Sequence, residues 1–175
     1  MTAAPRRYGF HATLKPPMAL AHGLDRLIDD TRTLVRMMRS FVAPALRVSR
    51  IDGFLAIVEA EPSPALRRLA DECVVRLDHH RVRESAERVT KRQEGLDAIG
   101  RAYLAQYGYP YVLDRWRFHM TLSQRIADPD RLDAAARAHF AASLAMSRSI
   151  TGVAIYLEPT PGAAFDLVTR LDFGS

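Results

Sequence analysis

The sequence predicts an α+β fold made by internal duplication: two lobes, each with an antiparallel sheet, the sheets facing a central cleft and the helices outside. Two observations carry this expectation. One short phrase occurs twice, 108 residues apart, as Tyr8-Gly9-Phe10-His11-Ala12-Thr13-Leu14 and as Arg117-Phe118-His119-Met120-Thr121-Leu122. The order of predicted elements also repeats imperfectly: motif strand, helix, strand pair, helix, then helix, motif strand, helix, strand pair. A single bilobal domain over residues 1–175 follows, with lobe 1 at about 1–80, a connector and helix at about 81–108, and lobe 2 at about 109–175.

The elements can be justified in order. Tyr8 to Leu14 alternates polar and apolar residues with the period of a strand, and Lys15-Pro16-Pro17 ends it, because proline lacks the amide proton a sheet needs. Leu24, Leu27, Ile28, Thr31, Leu34, Val35 and Met38 recur at three- and four-residue spacing, which predicts a long amphipathic helix. Residues 46–60 read as two strands around a turn at Asp52-Gly53. Ser63-Pro64 looks like an N-cap followed by proline at the first helical position, and Leu66, Leu69, Ala70, Cys73, Val74 and Leu77 form the buried stripe. Arg81 to Gln93 is too charged to build core, so it reads as an exposed connector or the solvated start of the next helix. That helix passes Leu96, Ile99 and Leu104 and ends at Gly108. Asp128-Pro129 predicts a further helix start, and two closing strands are expected at 150–158 and 164–173. In the last strand Phe165, Leu167, Leu171 and Phe173 are expected on one face.

Composition sets bounds. Apolar residues near half and charged residues near a quarter describe an ordinary globule. No apolar run is long enough to span a bilayer, no secretory leader is evident, and a reducing cytoplasm is the expected location. The single cysteine, Cys73, is expected to be buried and structural. The net charge of +5 suits an anionic partner, but the arginines are dispersed, so a small phosphorylated ligand explains them as well as a polymer does.

The repeated phrase carries the chemistry. His11 and Thr13 share one face of their strand, and His119 and Thr121 share one face of theirs. Near neutral pH one imidazole can accept a proton while another donates one, so His11 and His119 are the candidate catalytic pair. The Thr13 and Thr121 hydroxyls can donate to phosphate oxygens, and Lys15 and Arg117 lie on the same faces and can add positive charge. Tyr8, Tyr111 and Trp116 are candidate ligand contacts, although the alternation places Tyr8 and Trp116 with the apolar set. A lone His-x-Thr is usually structural; two matched copies are not. His22, His79, His80 and His139 have no such support. No His-Glu-x-x-His and no cysteine pair is present, so no metal and no cofactor are expected.

The two His-x-Thr motifs resemble those of the 2H phosphoesterase superfamily. The phrases from Arg7 to Lys15, from Gly108 to Asp114 and from Arg117 to Leu122, with the closing Pro161-Gly162 and Phe165, are similar to its DUF1045 branch, which is labelled for phosphonate metabolism. The resemblance implies a bilobed fold and a metal-independent phosphoesterase acting on a cyclic phosphate or small phosphodiester. The alternative is a phosphate- or RNA-binding protein without turnover. The implied partner is a small phosphorylated substrate, a ribose or nucleotide cyclic phosphate, with RNA less favoured and no membrane. The resemblance also implies a strand before the first motif that this chain lacks, leaving a sheet edge through which a homodimer could form.

Overall fold

A computed structural model describes residues 3–125 and 130–174. Along the chain these form α1 (Ala3–Arg6), α2 (Leu24–Arg36), β1 (Phe41–Val42), β2 (Leu46–Ile51), β3 (Phe54–Glu59), α3 (Pro64–Arg76), α4 (Ala86–Arg92), α5 (Ala98–Tyr107), β4 (His119–Thr121), α6 (Asp130–Ala145), β5 (Ser149–Ile150), β6 (Gly152–Leu157) and β7 (Asp166–Asp172). The fold is α+β with antiparallel sheets, as the alternation predicts. The expected helix start at Asp128-Pro129 lies outside the described residues. No helix among the described residues is long and apolar enough to cross a membrane.

The chain divides into two compact units. The first comprises residues 1–13, 35–63 and 118–175. Its centre is the sheet β2-β3-β4, in which β3 pairs with a neighbour on each side. That position explains the unbroken burial of Leu55, Ala56, Ile57 and Val58, since a strand covered on both faces has no solvent side to keep polar. The β2–β3 hairpin closes through Asp52 (φ 46°) and Gly53 (φ 91°). Two consecutive left-handed residues match the twist of the flanking strands, so the Asp-Gly turn pins the register Ile51 to Phe54. α6 packs along β2, where Arg50 pairs with Asp130 and Asp133.

In the same unit β6 and β7 form an antiparallel hairpin with a bulge at Ile155/Tyr156. Ile155 faces Thr169 while Tyr156 faces Leu167, so Val168 is the extra residue. This corrects the expected apolar face of the last strand: Leu171 is buried, whereas Leu167 is moved to the other face and is 42% exposed. The short pair β1–β5 joins Phe41 to Ile150. The first motif is also corrected. Only Ala12 makes a strand-like bridge, because Tyr8 and Gly9 donate backbone hydrogen bonds to Pro5 and Arg6 and Gly9 turns at φ 69°.

The second unit comprises residues 14–34 and 64–117. α3 starts at Pro64 and buries Leu66, Leu69, Ala70, Cys73 and Val74, the expected stripe. The charged segment after Arg81 forms a separate helix, α4, capped by Ser85 and burying none of its residues. Gly95, at φ 74°, breaks the chain before α5, which Asp97 caps at its start. The left-handed Gly108 ends α5, its amide donating to the Leu104 carbonyl at 2.9 Å.

Candidate functional site

The His-x-Thr of each repeated motif belongs to the first unit. β4 presents His119 opposite Val58, Met120 opposite Ile57 and Thr121 opposite Ala56. The residues of β3 that share a face with His119 and Thr121 are therefore Phe54, Ala56 and Val58, and the Phe54 ring lies 6.1 Å from that of His119. On the far side of β4, Ala12 pairs antiparallel with Met120. Paired residues share a face and their neighbours take the other, so His11, Thr13, His119 and Thr121 all fall on the face opposite Ala12 and Met120. The antiparallel register sets His11 across from Thr121 and Thr13 across from His119. The two imidazoles lie on a diagonal, whose residues in a regular antiparallel pair are roughly 7–8 Å apart.

The opposite face is the one that α6 covers. Arg50, on the Val48 face of β2, reaches α6, and Phe10, in phase with Ala12, stacks on Phe140 of α6 with ring centroids 6.3 Å apart. The sheet is thus covered by α6 on one side, and on the other the motif side chains stand beside the buried Ala56 and Val58. All four motif side chains are half-buried.

The hydrogen bonds of His11 define its tautomer. Nδ1 lies 3.3 Å from the Gly9 carbonyl, which can only accept, so Nδ1 carries the proton. Nε2 lies 3.1 Å from the Thr13 hydroxyl. The ring is flanked by Tyr156 at 5.7 Å and Tyr8 at 6.4 Å. Tyr8 in turn packs on Phe165 at 5.2 Å. Arg7 fixes this segment to the β6–β7 hairpin: its guanidinium donates to Glu158 at 3.1 Å and to the Ala163 carbonyl at 3.2 Å, and Phe165 donates its amide to the Arg7 carbonyl at 2.8 Å. Tyr156, Arg7 and Glu158 were not singled out by sequence. Nothing in local spacing pairs residue 7 with residue 158.

The remaining candidates lie in the second unit. Lys15 is only 10% exposed and its ammonium is 3.4 Å from Asp78 and 3.3 Å from the Val74 carbonyl. Burial lowers its pKa, against the opposing pull of Asp78. Its positive charge is thereby matched within its own unit. Tyr111 is 52% exposed and meets Tyr109 edge-on at 5.6 Å. Trp116 is buried, its backbone carbonyl accepting from Arg67 at 2.9 Å. Arg117 closes the second unit, two residues before β4.

An α+β protein with two imidazoles and two hydroxyls on one sheet face has the groups needed to receive an anion. The chain belongs to the family described as protein of unknown function DUF1045, whose profile matches residues 13–166. It is 36% identical, over 99% of its own length and 40% of the relative's, to a protein of Janthinobacterium sp. (strain Marseille) named ribose 1,5-bisphosphate phosphokinase PhnN. A protein of the same name from Laribacter hongkongensis (strain HLHK9) is 33% identical, over 94% of this chain and 39% of the relative. The chain therefore spans about two fifths of the curated relatives it matches. These names overturn the expectation of a hydrolytic phosphoesterase. A kinase transfers a phosphoryl group to an acceptor, and for that chemistry positioning and charge matter more than an acid/base pair that activates water.

Proposed function

We propose that this chain recognises a phosphorylated ribose and so serves phosphoryl transfer in phosphonate-linked metabolism in the cytoplasm. The observation that carries the reading is the shared face of His11, Thr13, His119 and Thr121, set by the Ala12–Met120 bridge. In this reading the His119 ring and the Thr13 and Thr121 hydroxyls donate to the phosphate oxygens, and His11, held by the Gly9 carbonyl through Nδ1, presents Nε2 beside them. Each His-x-Thr-Leu copy supplies one imidazole and one hydroxyl, the duplicated arrangement that the resemblance implies. Relatives named for ribose 1,5-bisphosphate support the choice of ligand. Phosphate-loop kinases cradle nucleotide phosphates with a glycine-rich loop ending in Gly-Lys-Ser/Thr. No glycine of this chain precedes a lysine, so the proposal assigns these residues the sugar-phosphate side.

Calorimetric titration with ribose 1,5-bisphosphate tests it. Saturable one-to-one binding is expected, with no heat from unphosphorylated ribose. His119→Ala and Thr121→Ala should each weaken binding by about 10- to 100-fold, the loss of one hydrogen bond to a charged group. Absence of binding, or binding unchanged in both variants, refutes the proposal.

A further inference from the structure

We propose that Asp30, His79 and His80 form a binding site for a divalent transition-metal ion of the zinc class. The three residues lie in the second unit, distinct from the motif face, and the proposal stands independently of the one above. Asp30 comes from the middle of α2, and the two histidines from the 3-10 turn at Asp78–His80. One ligand atom from each lies within 4.8 Å of the others. The His79 Nε2 is 3.0 Å and the His80 Nε2 is 2.9 Å from the same Asp30 carboxylate oxygen. Zinc bonds of about 2.0–2.1 Å at tetrahedral angles separate ligand atoms by roughly 3.3 Å, so small side-chain adjustments admit the ion.

Two imidazoles and one carboxylate make a borderline-soft set, suited to zinc over magnesium or calcium. The site is built before any ion arrives. The turn is held at both ends: Ala21 donates its amide to the His80 carbonyl at 2.7 Å, Leu20 bridges to Arg81, and Arg81 grips Asp78 through two hydrogen bonds. His80 is fully buried and its Nδ1 has no partner among the described residues, so the ring's polar engagement is made through Nε2 toward Asp30. One hydrogen bond to a partly exposed carboxylate compensates poorly for burying an imidazole; a coordinate bond compensates better. His79 and Asp30 are exposed enough to leave a solvent-facing fourth position.

The test is calorimetric titration of the chelator-treated protein with zinc chloride, with cobalt(II) absorption as a readout of tetrahedral geometry. One equivalent is expected to bind. Asp30→Asn and His79→Ala change residues that are not buried, so they should fold, as circular dichroism will verify, and each should weaken binding by at least about tenfold. Failure to bind one equivalent, or a smaller loss in either folded variant, overturns the proposal.

Discussion

Asp78 illustrates how a single residue sets local stability. Its carboxylate accepts two hydrogen bonds from Arg81, at 2.9 and 3.0 Å, and meets the Lys15 ammonium at 3.4 Å. Burial works to raise its pKa, but Arg81 and Lys15 outweigh burial and hold the group below the usual carboxylate value. Asp78→Asn leaves two cations unmatched, Lys15 among them nearly buried, and should cost about 2 kcal/mol by urea denaturation, less than a fully buried pair because solvent reaches part of the cluster. Cys73 behaves oppositely. Burial pushes its thiol up to about 12, so almost no thiolate exists at pH 8. Native protein should react with a thiol reagent only as fast as it opens, and unfolded protein at once. Ser123 is buried with its hydroxyl accepting from Leu55 at 3.0 Å and donating to the Gln124 carbonyl at 2.8 Å. Ser123→Ala orphans the Leu55 amide and should cost roughly 1–3 kcal/mol in the same assay.

At the scale of elements, the β6–β7 hairpin depends on close backbone approach. A Cβ at Gly152 would lie 2.4 Å from the Leu171 carbonyl oxygen, and no flexible side chain can yield there because the neighbour is backbone. Gly152→Ala should therefore destabilise by about 2 kcal/mol or more, read as a lowered thermal midpoint. The same hairpin shows where alternation fails as a guide. Phe165, Leu167, Leu171 and Phe173 have the right period, but the extra residue at Val168 reverses the phase, and no residue type announces a bulge. Other elements were plain in the sequence. α3 begins at its proline and buries its stripe, α5 ends at its glycine, and Asp52-Gly53 closes a two-residue hairpin. Each of these signals acts within a few residues, and the tertiary environment agrees with it.

Across the whole molecule, acid lability follows from carboxylates held below their ordinary values. Asp78 is held down by Arg81 and Lys15, Asp97 chiefly by Arg115, and Asp30 chiefly by His79. A carboxyl whose folded pKa is depressed contributes stability above its unfolded value, here 3.8, and loses it as pH falls through the folded value. The thermal midpoint should hold above about pH 5 and fall progressively below pH 4, with a shallower fall in Asp78→Asn.

The sequence alone determined the α+β class, most element positions and the matched His-x-Thr pairs, because period, capping and turn chemistry are local. Tertiary structure decided that Ala12 bridges Met120, that Lys15 meets Asp78 and that Asp30 meets His79 and His80, because each pairing joins residues dozens or more apart in the chain. The expectation of hydrolysis went beyond what the motifs could decide for a related reason. Imidazoles and hydroxyls on one sheet face suit hydrolysis of a phosphate or capture of one equally well, and only what surrounds the phosphate selects between them.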